Sequence, residues 1–356
     1  MKTIENLTQQ AITLLKKMIE TPSFSSEEDK TALLIENWFT QNEIPFKREN
    51  NNVWAFNKHF DETKPTLLLN SHHDTVKPNQ GYTNDPFQAF VQDGKLFGLG
   101  SNDAGGCLVS LLATFVYFYA TENLPYNCVI VASAEEESSG KNGLNNVLKH
   151  LPKLDCAIVG EPTLMQLAIA EKGLLVLDVV IKGTASHAAH HNPDNPIYNA
   201  VPVIEWFNSY KFDKISEILG PVKMTVTQIN AGKQHNVVPS QCDLVVDIRV
   251  NDCYTNTEIL ETVRNHISAE VNPRSMHLNA SSIPTNHGLV KAGIALGRTT
   301  YGSPTLSDQS VLTCQSLKLG PGETLRSHSA NEFIYLNEIE EGIQLYIKIL
   351  SDFFQQ

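Results

Sequence analysis

The residues in this sequence best suited to chemistry are acids and histidines that directly follow apolar runs. These groups are His72-His73-Asp74, Glu135-Glu136-Glu137 and Glu161. The glycine-rich stretch from Phe97 leads to a further acid, Asp103, and a late histidine, His328, follows a Gly-Pro-Gly turn. Imidazole and carboxylate groups are ligands that zinc, cobalt, nickel and manganese share. The residue types therefore indicate a divalent metal centre.

Each of these groups also has an ordinary structural interpretation. A single His-x-Asp is common by chance, and a lone histidine at a strand end is more often held in a hydrogen bond. A glutamate triplet is typical of a solvated face or of a helix start. Together, however, several strand ends deliver the same ligands to one edge of a sheet, where uncompensated acids would repel one another. A cationic centre at that edge removes the conflict.

The elements that must position these residues are three short apolar runs separated by segments long enough to hold helices. The runs are Thr66–Asn70, Cys128–Ser133 and Cys156–Gly160. Such runs are typical of buried parallel strands. The pattern predicts an α/β fold with a doubly wound, mostly parallel sheet and helices on both faces, whose ligands bind beyond the carboxyl ends of the strands. Further helices are expected at 1–20, 107–120 and 336–354.

A second region, with a different order of expected strands and helices, begins near Leu174. Strands are expected at Leu174–Ile181, Lys223–Ile229 and Asp243–Val250, and helices at Pro196–Tyr210 and Thr255–Glu270. This mixture predicts a smaller α+β domain inserted into the first. The expected division is a metal-binding catalytic domain of residues 1–173 and 283–356, and an inserted domain of residues 174–282.

Composition narrows the class of protein. Of the 356 residues 41% are hydrophobic and 19% charged, as in ordinary globular proteins. The formal net charge of -12, without a cluster of Lys and Arg, disfavours a nucleic-acid partner. Six scattered cysteines without a CxxC pair indicate a reducing compartment. No segment predicts a signal peptide or a membrane span. We therefore expect a cytoplasmic protein that binds neither nucleic acid nor membrane.

At this point the order and spacing of the motifs resemble a known family over nearly the whole chain. That family contains the dinuclear zinc aminoacylases, succinyl-diaminopimelate desuccinylases, acetylornithine deacetylases and carboxypeptidase-G-like enzymes. The matching pieces are His72-x-Asp74, Gly98-x-Gly100-x-x-Asp103, the acidic pair before Gly143, Gly160-Glu161-Pro162-Thr163, Gly183-Thr-Ala-Ser-His187, Asn236-Val-Val-Pro239, Asp247-Ile-Arg249 and His328-Ser-Ala-Asn-Glu332.

The resemblance implies two divalent metal ions, zinc in the first instance and cobalt or manganese as alternatives. Asp103 would bridge them, His72 and Glu161 would complete one site, and Glu137 and His328 would complete the other. Asp74 would accept a hydrogen bond from the far nitrogen of His72 and so hold its tautomer.

The glutamate before the metal-binding one would be the general base that takes a proton from water and passes it to the leaving amine. Either Glu135-Glu136 or Glu136-Glu137 could be the functional pair. The spacing from Glu137 to Gly143 matches several family members without a gap, which favours Glu136 as the base and Glu137 as the ligand.

Other matches concern the substrate. His187 would reach the scissile carbonyl, often in the partner subunit's site, and the inserted domain would be a ferredoxin-like lid that forms a homodimer. Asn236 and Arg249 would contact the substrate, although a salt bridge on the sheet face is the alternative for Arg249. Ser307 and Asp308 resemble a substrate-side loop of the desuccinylases.

Two positions depart from the family pattern and make the subfamily less certain than the metal centre. Many members carry an arginine at the position of Leu99 and a lysine at that of Gly105. Both positions flank Asp103, so the departure bears on the substrate.

The leading functional hypothesis is hydrolysis of the amide bond of a small N-acyl amino acid, namely N-acetyl- or N-succinyl-ornithine or -citrulline, as in arginine biosynthesis. The alternatives are a succinyl-diaminopimelate desuccinylase and a general aminoacylase or dipeptidase. From other classes, a non-catalytic binding protein could share this scaffold. A serine or cysteine hydrolase is disfavoured because the sequence has no Gly-x-Ser-x-Gly elbow.

Overall fold

A computed structural model describes residues 3–356, within which helices and short strands alternate along most of the chain. The helices are α1 (Ile4–Ile19), α2 (Asp29–Gln41), α3 (Gly106–Phe118), α4 (Leu144–Leu148), α5 (Pro196–Ser209), α6 (Asn256–His266), α7 (Gly288–Ala295) and α8 (Leu336–Phe353). The strands are β1 (Lys47–Glu49), β2 (Asn52–Phe56), β3 (Thr66–His72), β4 (Phe90–Gln92), β5 (Lys95–Phe97), β6 (Asn127–Ser133), β7 (Cys156–Val159), β8 (Leu167–Glu171), β9 (Gly173–Lys182), β10 (Ser186–His187), β11 (Lys223–Ala231), β12 (Val237–Val238), β13 (Gln241–Val250), β14 (Glu270–Pro273), β15 (Ser281–Ser282), β16 (Thr300–Ser303), β17 (Gln315–Lys318) and β18 (Phe333–Tyr335).

Contacts divide these elements into two units. The first contains residues up to Ile169 together with Ser282–Tyr301 and Ser307–Gln356. The second contains Ala170–Ser281 and the short segment Gly302–Leu306. The sequence did not indicate that this short segment would join the inserted unit. It does so through space, because Lys172 N donates to Ser303 O at 3.2 Å.

The three predicted apolar runs, which belong to the first unit, form the centre of a nine-stranded sheet. The order along the main path is β1-β2-β6-β3-β7-β17-β8-β15, and β16 pairs with β8. The central strands β6, β3, β7 and β17 are mutually parallel, whereas β2 pairs antiparallel with β6 and β8 antiparallel with β17. The expected mostly parallel α/β sheet is confirmed, with antiparallel strands at its edges.

Helices cover the two faces of this sheet unequally. Alternate residues of a strand point to opposite faces, so Leu67 and Leu69 join a large core with α1, α2, α3, α7 and α8. Leu68 joins a smaller core on the other face, which includes Leu144 and Val147 of the short helix α4. The helix expected at 107–120 is observed as the buried helix α3, whose apolar residues lie almost entirely within the large core.

The second unit contains a four-stranded antiparallel sheet in the order β11-β13-β9-β14. Its elements follow one another as β9, α5, β11, β13, α6 and β14, which is the ferredoxin-like βαββαβ arrangement. Strand β9 alternates between buried and half-buried residues, because one face of the sheet packs against the helices. The predicted inserted α+β fold is confirmed.

The predicted end of one helix is wrong, and the predicted start of another lies outside the described residues. The helix expected to reach Glu270 ends at His266, because Ile267 is already extended (φ -118°, ψ 142°). Glu270 instead begins β14, which pairs with β9, so pairing with a distant strand outweighs local helical periodicity here. The first predicted helix includes residues 1 and 2, which lie outside the described residues, and α1 is described from Ile4.

The six cysteines are all free thiols. Across residues 3–356, none of the helices combines the length and the hydropathy that crossing a bilayer would require.

Candidate metal centre

His72 is the last residue of the central strand β3, and its side chain is buried. Its Nδ1 lies 3.0 Å from the carbonyl oxygen of Asp74 and 3.3 Å from Asp74 Oδ1. Its Nε2 points the other way and lies 3.3 Å from Asp103 Oδ1. With Nδ1 held by Asp74, the ring presents Nε2 to the acidic cluster, which is the orientation a ligating histidine needs.

Asp103 lies between two histidines that are far apart in the chain. Its Oδ1 faces His72 Nε2, and its Oδ2 lies 3.6 Å from His328 Nε2. The approach to Asp103 needs glycines, because Gly98 has φ +141° and Gly100 φ +76°, and a Cβ on Gly100 would clash with the Thr75 side chain. Asp103 thus presents one oxygen to each histidine, as a bridging ligand would.

The three glutamates after β6 have different surroundings. One is held by hydrogen bonds away from the acidic cluster, and two belong to that cluster, which consists of His72, Asp103, Glu136, Glu137 and Glu161. Glu135 has φ +55° and is 7% exposed. Its carboxylate accepts hydrogen bonds at 3.0 Å from the Ser26 hydroxyl and from both the backbone N–H and the side-chain amide of Asn142. Glu136 and Glu137 point to the cluster instead, and each forms a potential metal-ligand group with His72.

The cluster is rich in negative charge at short range. Around His72 Nε2, Glu161 Oε1 lies at 3.6 Å and Glu136 Oε2 at 3.8 Å. Burial, reinforced by the charge of Asp103, raises the pKa of Glu161 to about 8. Burial also raises the pKa of Glu136 well above its usual range. These carboxylates lie close together in the protein interior, where their negative charges repel one another.

On the other side of Asp103, His328 Nε2 lies 3.0 Å from Glu137 Oε2. This hydrogen bond raises the pKa of His328 to about 9, and the charge of Asp103 adds to the effect. His328 itself has φ +57°, a left-handed backbone conformation that turns its ring toward Glu137 and Asp103.

This donor set fits divalent cations. Two groups of residues have ligand atoms that all lie within 4.8 Å of one another, namely His72-Asp103-Glu137 and His72-Glu136-Glu161. Imidazole nitrogen and carboxylate oxygen are both ligands of zinc and its neighbours in the first transition row. Two positive ions among these acids would offset the mutual repulsion of the carboxylates, which adds to the effect of burial in raising the pKa of Glu136 and Glu161.

Asp74 has a wider role than the sequence predicted. Its Oδ1 accepts the N–H of Glu136 at 3.1 Å, and its Oδ2 accepts the N–H of Glu137 at 3.1 Å and the Ser25 hydroxyl at 2.7 Å. Its contact with His72 is made by both the carbonyl and the carboxylate oxygen. One buried carboxylate therefore orients the end of β3 and the glutamates after β6.

His187 and Asn236 lie together in the second unit. Strands β10 and β12 pair His187 with Val237, and Ala188 N donates to Asn236 O at 3.0 Å. Both side chains are exposed. His187 Nδ1 accepts the N–H of Ala189 at 3.1 Å, so the neutral ring carries its proton on Nε2, where it can donate outward.

Arg249 also lies in the second unit, and its guanidinium makes two hydrogen bonds to Asp247, at 2.9 and 3.1 Å. This is the salt bridge on the sheet face that the sequence left as the alternative. The geometry favours it over a free carboxylate clamp.

Ser307 and Asp308, expected to face the substrate, are only 2% and 8% exposed. Ser307 caps the turn that follows it, and Asp308 Oδ2 accepts the Ser133 hydroxyl at 2.5 Å. Burial raises the pKa of Asp308 to about 6. Both residues are therefore part of the protein interior next to β6. Contact of these residues with the substrate stays a prediction, and their burial argues against it.

The two departures from the family pattern have a local explanation. Leu99 is buried in the protein interior. A Cβ on Gly105 would clash with the carbonyl oxygen of Gly100 and with the Leu15 side chain. No lysine can be accommodated at position 105 without moving the segment that carries Asp103.

One residue that contacts the site was given no role from the sequence, although it ends the quoted motif His328-Ser-Ala-Asn-Glu332. Glu332 is 2% exposed and accepts the backbone N–H of Asp103. The sequence signal was its position four residues after His328, and its partner Asp103 is more than two hundred residues away in the chain.

The fold and the site define a metal-dependent hydrolase of amide bonds whose cofactor is a pair of divalent metal ions. The sequence profile of peptidase family M20/M25/M40 matches residues 68–352, and the chain belongs to this family.

Relatives and solved structures agree with this assignment. The chain is 26% identical over 325 residues to succinyl-diaminopimelate desuccinylase 2 of Ruegeria sp. (strain TM1040), covering 83% of this chain and 82% of that protein. It is 27% identical over 215 residues to the succinyl-diaminopimelate desuccinylase of Acidiphilium cryptum (strain JF-5), 57% of each chain. An M20 family metallo-carboxypeptidase from Sulfolobus solfataricus has the same fold, with a TM-score of 0.77 and 16% identity over 98% of this chain and 100% of that one.

Proposed function

We propose that this hydrolase removes a succinyl group from the nitrogen of a small amino acid, with succinyl-diaminopimelate as the first substrate to test. The proposal of hydrolysis rests on the position of Asp103, whose two carboxylate oxygens face His72 and His328. Glu136 lies next to His72. The names of the two relatives support the acyl group and the amine. They favour this substrate over the ornithine and citrulline derivatives that were the leading hypothesis from the sequence.

The proposed ligands are His72, Asp103, Glu137, Glu161 and His328, with zinc as the proposed metal. When bound, two such ions supply a water of lowered pKa and polarise the carbonyl of the scissile amide.

The remaining chemistry belongs to the side chains. Glu136 accepts the proton of the attacking water and then delivers it to the amine nitrogen as the amide bond breaks. Asp74 holds the backbone of Glu136 and the ring of His72, so that base and ligand keep their mutual position. As the resemblance implies, His187 is proposed to reach the site of the partner subunit and to donate there from Nε2 to the carbonyl oxygen as negative charge develops on it.

A substrate panel tests the proposal. Steady-state kinetics with zinc-loaded protein would compare succinyl-diaminopimelate, succinylcitrulline, acetylornithine and acetylcitrulline. We expect the highest kcat/KM for succinyl-diaminopimelate, loss of activity after chelation, and its return on adding zinc. A clear preference for an acetyl substrate would refute the desuccinylase proposal but leave amide hydrolysis standing. Low, equal rates on all four substrates would refute both the desuccinylase proposal and the hypothesis of an ornithine or citrulline substrate.

We also propose that the second unit forms a homodimer, as the family resemblance implies. Strand β11 lies at the edge of its sheet, and Ile229 on it is 54% exposed. Helix α5 adds the exposed side chains of Tyr198 and Val201. Edge strands and contiguous apolar surface are typical of such contacts. Light scattering on Ile229→Lys beside the wild type tests this, and an unchanged dimer would contradict it.

A further inference from the structure

Two segments that carry proposed metal ligands, the loop Gly98–Asp103 and the loop from Gly322 to His328, are far apart in sequence. Both are held by buried polar side chains. The Glu332 carboxylate accepts the backbone N–H of Asn102 at 2.8 Å and that of Asp103 at 2.9 Å. Its own carbonyl oxygen accepts the N–H of Gly98 at 3.0 Å. Glu332 thus fixes the first loop at both of its ends.

Asn102 then connects the first loop to the second. Its Oδ1 accepts the N–H of Glu323 at 2.9 Å, and its Nδ2 donates to the carbonyl oxygen of Glu323 at 3.1 Å. The same amide nitrogen lies 3.3 Å from Ser327 Oγ, next to His328. Gly322 has φ +86°, and a Cβ there would press on the Asn102 side chain, so the loops approach each other too closely for any other residue.

Glu332 is also four residues beyond His328 in the chain, and the segment between them is anchored. Asn331 accepts the N–H groups of Thr83 and Asn84 at 3.1 and 3.2 Å. Asn79 donates to the carbonyl oxygen of His328 at 3.0 Å. His328 and Glu332 are therefore joined by a short segment in which both Asn331 and His328 are held in place.

We infer that Glu332 is a positioning residue of the metal centre. Its carboxylate holds the Asp103 loop in a fixed position relative to the segment that carries His328. The inference rests on the proposed ligand roles of Asp103 and His328. Glu332 binds no ion itself in this account. Its carboxylate acts through the two backbone N–H groups, which require an acceptor at that point because they are buried. Loss of a residue that orients a metal ligand typically costs about 10 to 100-fold in metal affinity.

The test is Co²⁺ binding to metal-free protein, measured by calorimetry and by the visible absorption of bound Co²⁺. We expect Glu332→Ala to weaken Co²⁺ binding by about 10 to 100-fold and to alter the absorption bands. Glu332→Gln should recover most of that loss, because its amide oxygen can still accept both N–H groups.

A control separates positioning from general loss of stability. Asn251 is a fully buried polar residue of the second unit that accepts the N–H of Cys253 and donates to the carbonyl oxygens of Lys214 and Gly220. Asn251→Ala should lower the denaturant midpoint yet bind Co²⁺ as the wild type does. Because it removes a comparable set of hydrogen bonds away from the proposed ligands, it isolates the specific effect.

The outcomes are distinct. Wild-type affinity and spectrum in Glu332→Ala would overturn the inference, as would equal weakening in Asn251→Ala. If Glu332→Ala does not fold, Glu332→Asp replaces it, since the shorter side chain withdraws the acceptor and should bind Co²⁺ more weakly than Glu332→Gln. A wild-type protein that binds no Co²⁺ would instead refute the proposed metal centre itself.

Discussion

Replacing the adjacent residues Glu135 and Glu136 by glutamine, one at a time, should affect different properties: Glu136→Gln should lower kcat, and Glu135→Gln should lower the free energy of unfolding. Glu136→Gln removes the proposed proton acceptor while keeping the shape of the side chain. The Glu136 carboxylate lies 3.8 Å from His72 Nε2, beyond hydrogen-bond range, so the substitution breaks no bond between these two groups. We expect kcat to fall by about 10² to 10⁴-fold, the usual contribution of a general base, which is about 3 to 5 kcal/mol of transition-state stabilisation.

Glu135→Gln is the matched variant. The Glu135 carboxylate accepts three hydrogen bonds, two of them on one oxygen, and an amide nitrogen placed at either oxygen would face a donor. One charged hydrogen bond is worth about 1.5 to 3 kcal/mol, so the free energy of unfolding should fall by roughly that amount. Because this side chain points away from the metal ligands, kcat should stay within about tenfold of the wild type.

Stopped-flow or steady-state kinetics, elemental analysis and urea denaturation of the two variants measure all of these quantities. Glu136→Gln should keep its metal content and its stability while it loses turnover. Substantial activity in Glu136→Gln, or an inactive Glu135→Gln with normal metal content, would refute the assignment of the base within the triplet.

Three further predictions concern other positions. Asp74→Asn should weaken zinc binding by about 10 to 100-fold, because the carboxylate that holds the His72 ring loses its charge; unchanged affinity in a zinc titration would contradict this. Gly105→Ala should lower the free energy of unfolding by about 1 to 3 kcal/mol, because its Cβ meets the Gly100 carbonyl, and a denaturation curve equal to that of the wild type would refute it. Burial lowers the pKa of His287, whose Nδ1 accepts the Leu289 N–H, so the unfolded chain binds more protons than the folded one and stability should fall as pH drops below about 6.5. His287→Asn keeps the helix cap and should flatten that slope in urea denaturation between neutral and mildly acidic pH, whereas an identical slope would exclude His287 as its source.

Much of the framework follows from local patterns that can be read along the chain. The short apolar run Thr66–Asn70 is typical of a buried strand, and in the structure it lies in the centre of the sheet. Because parallel strands present their carboxyl ends to one edge, His72 and Glu161 had to meet there. The beginning of α6 is equally local, since Thr255 and Glu258 form a capping box within four residues.

Other features depended on partners that no local pattern reveals. Helix α6 stops at His266 because the following residues pair with β9, about ninety residues earlier in the chain. Ser307 and Asp308 resemble a substrate-side loop in sequence, yet both are buried and Asp308 accepts a hydrogen bond from the Ser133 hydroxyl on β6.

The sequence by itself determined which kinds of ligand this protein has and that strand ends bring them to one edge of a sheet, because residue type and periodicity are local properties. Only the tertiary structure decided which groups surround each acid. Ser26 and Asn142 donate hydrogen bonds to the carboxylate of Glu135, whereas Glu136 and Glu137 lie in the acidic cluster. The backbone N–H of Asp103, a proposed ligand, donates to Glu332. A carboxylate acts as base, ligand or support according to the donors and charges within a few ångströms of it, and here those neighbours come from distant parts of the chain.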